Sequence, residues 1–110
     1  MPYSIVYFNG RLLATIESWP PGILAAYARA VELLVEFGPD LGMPYSRAMK
    51  DGLFELRIRG TEGSGRALYC YMSGNRVIIL HAFIKKTEKT PEKDLQIARK
   101  RKKEVLKDGR

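Results

Sequence analysis

The sequence predicts a small α+β domain with a β-α-(α)-β-β-β-α order, in which the helices cover one face of a small antiparallel meander sheet. Three observations support this fold class: a long amphipathic pattern near the N-terminus, three successive segments with strand-like alternation, and a Lys- and Arg-rich final segment. A length of 110 residues suits one domain, which we expect to span 1–110.

The first strand is predicted at residues 3–8, which alternate weakly and are rich in aromatic and β-branched side chains. Asn9-Gly10 then marks a turn. The following segment, 11–18, fits either the second arm of a hairpin or a short helix, and the helical spacing of its leucines and isoleucine favours the helix. Pro20-Pro21 separates this element from the next one.

The main helix is predicted at residues 23–37, because apolar side chains recur there at alternating steps of four and three. Gly38-Pro39 ends this pattern, and residues 40–52, which carry further Gly and Pro, are expected to form a loop. The apolar positions are Ile23, Tyr27, Ala30, Leu34 and Phe37, with Arg29, Glu32 and Glu36 on the opposite face.

Three strands follow, at residues 53–59, 66–72 and 76–84, joined by short polar connections into an antiparallel meander. In the first of them, alternate residues fall on opposite faces of the sheet. One face carries Phe54, Leu56 and Ile58, and the other carries Glu55, Arg57 and Arg59.

The last element is a basic helix from Pro91 to about Lys107, with Thr90 predicted as its N-cap. The formal net charge is +7, and residues 85–110 hold eleven basic and five acidic side chains, a net of +6. A polyanionic partner, nucleic acid first of all, fits this excess, although a solvated helix face is the plainer interpretation.

The environment of the protein is expected to be the cytoplasm. Cys70 is a lone cysteine and cannot form an internal disulfide, and the N-terminus lacks the basic flank and apolar run of a signal peptide. The longest wholly apolar run, residues 77–80, is much shorter than the ~20 residues that cross a bilayer.

Metal or cofactor chemistry is not indicated by the sequence. One His and one Cys cannot supply the usual nitrogen and sulfur ligand sets, and the glycine-rich stretch 60–65 lacks the Lys-Ser/Thr of a phosphate-binding loop. We therefore expect no cofactor and no metal.

Several cations are instead predicted to converge at the ends of adjoining strands, where arginine could bind an RNA phosphate through two hydrogen bonds. For Arg57 and Arg59, an outward-facing strand arginine paired with Glu55 or Glu62 is the competing interpretation. His81, within an apolar strand, suits a hydrogen-bonded core histidine better than a catalytic base. The converging set is Arg57, Arg59, Arg66, Lys85 and Lys86.

Four segments occur in an order and spacing that resemble the RelE/HigB toxins of the RelE/ParE superfamily, in particular their short phage-type HigB-like branch. These are LGMPYSRAMKDGLFELRIRG, GRALYCY, ILHAFIKKTEKTP and the basic helix after them. The resemblance spans residues 3–106 and is most specific in LGMPYS, FELRIRG and FIKKTEKTP.

The resemblance implies the toxin of a type II toxin-antitoxin system, acting as a metal-independent, ribosome-dependent mRNA endoribonuclease. In that reaction the ribose 2′-OH attacks the adjacent phosphate and leaves a cyclic phosphate and a 5′-OH. Cations that stabilise the added negative charge would carry much of the catalysis.

By position, the resemblance makes Arg66 a phosphate clamp, Arg57 a second clamp, and Lys86 the cation near the leaving group, with Lys85 beside it. The proton acceptor differs among relatives and several use a C-terminal tyrosine, whereas the last tyrosine here is Tyr71, so the general base is left open between Glu55 and His81. The expected RNA-binding residues are Arg59, Lys85, Lys89, Arg99 and Arg101.

The expected partners are mRNA on the ribosome and an antitoxin with a helix-turn-helix, DNA-binding fold, with operator DNA bound only through the antitoxin complex. Two alternatives stay open. One is a ParE-like inhibitor of DNA gyrase without nuclease activity, because fold does not fix function. The other is a non-catalytic RNA- or ribosome-binding module whose affinity comes from the basic C-terminal segment.

Overall fold

The computed structural model describes residues 2–108. They form eight helices and strands, with a 3-10 turn at Gly38–Asp40. In chain order the elements are β1 (Ser4–Tyr7), α1 (Gly10–Glu17), α2 (Pro21–Phe37), β2 (Ser46–Ala48), β3 (Phe54–Gly60), β4 (Gly63–Met72), β5 (Arg76–Lys85) and α3 (Glu92–Asp108).

The five strands form one mixed sheet in the order β1-β5-β4-β3-β2, in which β1 runs parallel to β5 and the other pairs are antiparallel. The predicted α+β class and the β3-β4-β5 meander are confirmed. The sheet also contains β2, within a segment predicted to be a loop. Its three residues pair with β3, so that tertiary pairing and not their own pattern makes them a strand.

The segment after Asn9 is a helix, as the spacing favoured, and not a hairpin arm. Asn9 has extended backbone angles, and its side-chain oxygen accepts a hydrogen bond from the amide of Leu12 at 2.8 Å. This N-cap satisfies a backbone donor at the start of α1, a position where helices have free amides.

Helices α1 and α2 pack on one face of the sheet, and α2 buries the predicted residues Ile23, Tyr27, Ala30 and Leu34. The first turn of α2 is capped by a residue that is distant in the sequence. The carboxylate of Glu62, in the β3-β4 turn, accepts the amides of Gly22 at 2.8 Å and Ile23 at 3.0 Å. These backbone hydrogen bonds, with Gly22 first, lower the pKa of Glu62 below its ordinary value.

Helix α3 packs on the opposite face, so the prediction that all helices cover one face is wrong in this detail. Ala67 and Tyr69 of β4 lie in the core under α1 and α2, whereas Leu68 and Cys70 lie in the core under α3. A strand with apolar side chains at successive positions is buried on both of its faces, and β4 is such a strand.

The attachment of α3 to the sheet uses side chains as well as apolar packing. An Arg101 nitrogen donates to the carbonyl oxygen of Leu80 at 2.8 Å, beside an irregularity in the β4-β5 pairing, and the guanidinium lies over the ring of Phe8. The helix begins at Glu92, so Thr90 is not its N-cap, and the hydroxyl of Thr90 is used elsewhere. Across residues 2–108, none of the helices has the length and hydropathy to span a bilayer.

Candidate functional site

A cavity of about 460 Å³ opens along β3 next to α2 and the loop before β2. Its lining includes residues from both faces of the sheet, because the cavity extends around the edge of β3. Four arginines give the cavity a cationic lining, and one tyrosine also lines it. The lining residues are Ala26, Arg29, Ala30, Pro44, Tyr45, Arg57, Ile58, Arg59 and Arg66.

The strand register brings the predicted cations together on the face to which α3 packs. Arg57 of β3 lies directly opposite Arg66 of β4, and Arg59 lies opposite Ser64, which is in turn opposite Lys85 of β5. Residues directly opposite each other in an antiparallel pair have Cβ atoms about 4.5–5.5 Å apart. Arg57, Arg59 and Arg66 therefore form one cationic cluster, with Lys85 one strand further across the sheet.

Arg66 is the buried member of this cluster, with a relative exposure of 4%. One guanidinium nitrogen donates to the carbonyl of Gly65 at 3.0 Å, but Nε has no hydrogen-bond partner among residues 2–108. Burial lowers the pKa of Arg66, and the positive charges of Arg57 and Arg59 lower it further against the opposing effect of Glu55. Arginine stays protonated in proteins, so Arg66 is a buried cation.

Glu55 supports this cation from the neighbouring strand. Its carboxylate is buried, with Oε1 at 3.5 Å from Nε of Arg66, and Oε2 accepts a short hydrogen bond from the hydroxyl of Thr90. Thr90 is itself buried, just before α3. The segment 86–91 is thus anchored through Thr90 to Glu55 of β3, which in turn pairs with Arg66 of β4.

The remaining predicted site residues lie outside the cavity lining. Nε2 of His81 is 2.7 Å from Oδ1 of Asp94 on α3. Arg99 donates to the carbonyl of Met49 at 2.9 Å, and Arg101 donates to Leu80. Both arginines thus bind this protein's own backbone. Lys86 and Lys89 are exposed in the segment before α3, and Lys85 is half-buried at the end of β5.

Two cavity residues, Arg29 and Tyr45, were not among the sequence predictions for the site. The carbonyl of Tyr45 accepts the amide of Arg57 at 2.8 Å, which fixes the loop against β3, and its side chain is 42% exposed. Arg29 was placed on the solvent face of α2. The one sequence signal for a cavity beside α2 is its pair of small residues, Ala26 and Ala30, on the side that faces the sheet.

The acidic, His and Cys side chains of residues 2–108 form no group of three or more that could hold a metal ion. The charged groups that converge here are cations, and the chemistry that such a site offers is recognition of an anion. Phosphate oxygens suit it well, because arginine donates to them in a planar, two-pronged geometry.

A mixed sheet with helices on both faces and a cation-lined cavity at its edge defines a small α+β protein equipped to bind an anionic ligand. The chain belongs to the family described as phage derived protein Gp49-like (DUF891), whose model matches residues 14–103. This phage-derived family is associated with the toxins of toxin-antitoxin systems. No curated protein matches the sequence significantly.

Proposed function

We propose that this protein is the toxin of a type II toxin-antitoxin system, of the RelE/HigB kind, and that it cleaves mRNA on the ribosome without a metal ion. The observation that carries the proposal is the buried cation of Arg66, which lines an open cavity beside Arg57 and Arg59. A phosphate group of RNA is the ligand that this cluster fits.

The proposed reaction forms a bond between the ribose 2′-oxygen and phosphorus and breaks the bond from phosphorus to the 5′-oxygen. The products are a cyclic phosphate and a 5′-OH. Arg66 and Arg57 stabilise the negative charge that accumulates on the non-bridging oxygens, and Lys86, with Lys85 beside it, stabilises the leaving oxygen. The ribosome supplies the in-line arrangement of the substrate strand.

Glu55 acts in this proposal by orienting Arg66 and not as the proton acceptor. One of its carboxylate oxygens is bound by Thr90 and the other faces Arg66, and neither Glu55 nor Thr90 lines the cavity. His81 likewise has Asp94 as its partner. Tyr45 lines the cavity and is the one uncharged side chain in its lining that can exchange a proton, so we assign proton transfer to Tyr45.

Primer extension on a reporter mRNA in a cell-free translation reaction tests the function. Wild-type protein should produce specific cuts that require ribosomes, and Arg57→Ala and Arg66→Ala should abolish them. Arg11→Ala, which removes an exposed arginine of α1, is the matched control and should cleave like the wild type. Arg57→Ala keeps the buried pair of Glu55 and Arg66 intact, so its effect does not depend on the stability of that pair.

An intact message under conditions where the wild-type protein arrests growth would refute the nuclease. Loss of DNA supercoiling activity in the same cells would then indicate a gyrase inhibitor, and arrested translation without cuts would indicate a non-catalytic ribosome-binding module. The proposed antitoxin, a helix-turn-helix protein that carries the complex to operator DNA, should relieve the arrest when the two proteins are produced together.

A further inference from the structure

The solvent face of α3 carries a regular row of lysines. Ala98 and Val105 are the fully buried residues of this helix, seven positions apart on the side that packs on the sheet. At 100° per residue, the opposite side holds exposed positions at alternating steps of three and four. They are Lys93, Gln96, Lys100, Lys103 and Lys107, and we call the four lysines the lysine face.

The lysine face is long enough to follow a nucleic-acid strand. Lys93 and Lys107 are fourteen positions apart, which corresponds to about 21 Å along a helix axis at 1.5 Å per residue. A strand of B-form DNA carries one phosphate per about 3.4 Å of axis, which would give about six phosphates along the row, and the shorter rise of an A-form RNA duplex gives at least as many. Four side chains as long as lysine can each reach one of them.

The four lysines take no part in the ion pairs Arg29–Glu32, Arg66–Glu55, His81–Asp94 and Arg99–Asp51 of the described residues. The arginines of the same helix differ from them, because Arg99 and Arg101 bind backbone carbonyls of the sheet side. The basic helix thus divides into arginines that attach it to the protein and lysines that face outward.

We propose that the lysine face binds the phosphate backbone of double-helical RNA and holds the protein on a structured RNA while the cavity remains open to a single strand. The face is purely polar, and a protein partner would call for apolar or aromatic anchors at its centre. The exposed Leu106 lies to one side of it. A backbone of phosphates needs only the spaced positive charges that are present.

This binding is independent of cleavage, and a blunt RNA duplex of 20 base pairs tests it by fluorescence anisotropy over a range of salt concentrations. The variant Lys93→Gln/Lys100→Gln/Lys107→Gln removes three charges from the face. We expect the slope of log K, the observed association constant, against log salt concentration to become less steep by about 2.7. The affinity should drop on the order of 100-fold at 0.1 M salt.

The matched control, Arg11→Gln/Arg47→Gln/Lys50→Gln, removes three exposed charges elsewhere and should keep most of the affinity. Equal losses in the two triple variants would refute the proposal, because net charge alone would then explain binding. Unchanged duplex binding in the lysine variant would refute it as well. Loss of binding to a purified antitoxin, with duplex binding intact, would show that the face serves a protein partner instead.

The duplex measurement and the cleavage assay can refute their two proposals separately. A wild-type protein that binds the duplex but never cuts mRNA contradicts the proposed function and leaves the lysine face in place. A wild-type protein that cuts mRNA on the ribosome but has no affinity for the duplex contradicts only the lysine face.

Discussion

Replacing Glu55 by leucine leaves the guanidinium of Arg66 buried without its carboxylate and the hydroxyl of Thr90 without its acceptor. Both side chains of the pair are almost fully enclosed, at 5% and 3% exposure. Solvent therefore screens the unpaired charge poorly, and the positive neighbours Arg57 and Arg59 add repulsion. We expect Glu55→Leu to destabilise the fold far more than the loss of a surface ion pair would.

The expected cost is about 3–5 kcal/mol in the free energy of unfolding, the usual range when one partner of a buried pair is removed. For a chain of this length a change of 1 kcal/mol moves Tm by about 4 °C, so Tm should fall by roughly 12–20 °C. Replacing both residues, as Glu55→Leu/Arg66→Met, removes both charges and fills the volume with apolar atoms. The double variant should lose less than about 2 kcal/mol, most of it from the unpaired Thr90.

Urea unfolding, followed by circular dichroism, of Glu55→Leu, Arg66→Met and the double variant gives the coupling free energy of the pair. We expect it to be about 3 kcal/mol or more, because each single variant leaves a buried charge unpaired and the double variant leaves none. A double variant as unstable as the sum of the two single ones would refute the reasoning, since the charges would then not depend on each other. A cost of less than 1 kcal/mol for Glu55→Leu would show that water reaches the pair.

Three further changes test the fold. Glu62→Gln should lower Tm at neutral pH. Because the folded-state pKa of Glu62 is lowered, the stabilisation by its carboxylate should vanish as pH falls through that pKa, so that wild type and variant have equal Tm in acid. A Tm difference that stays constant with pH would contradict the cap. Gly60→Ala should prevent normal folding, because its Cβ would lie 2.6 Å from backbone at the start of α2, whereas Gly10→Ala, with open space around it, should leave Tm unchanged or raised. Asn9→Ala should cost about 1 kcal/mol by removing the cap of α1, measured by urea unfolding, and Asn9→Asp should preserve most of the stability.

The main elements of the fold were predictable because each of them carries its own pattern. The steps of four and three in α2 and the alternation in β3 need no tertiary information. Helix α3 was assigned to the wrong face, although the apolar run of β4 held the signal for two buried faces. Strand β2 had no signal of its own, because three residues become a strand only through pairing with β3.

The cationic cluster was predictable to the extent that it depends on neighbouring strands. Parity along β3 places Arg57 and Arg59 on one face, and the short turn that follows brings β4 alongside. Tyr45 could not be placed in the same way, because its position depends on a loop bonded to the edge of β3. The partnership of Glu55 with Thr90 joins residues 35 positions apart, and no local pattern reports it.

The parallel pairing of β1 with β5 has a consequence for how the chain acquires its structure. Ser4 pairs with Arg76, so the first strand has no strand partner until more than two thirds of the chain has been synthesised. Closing so long a loop costs conformational entropy before the new contacts stabilise it, and folds dominated by such distant pairings form more slowly than helical proteins of similar size. During synthesis, α1 and α2 therefore expose the apolar faces that the sheet later covers, and a nascent chain should depend on chaperones until β5 is available.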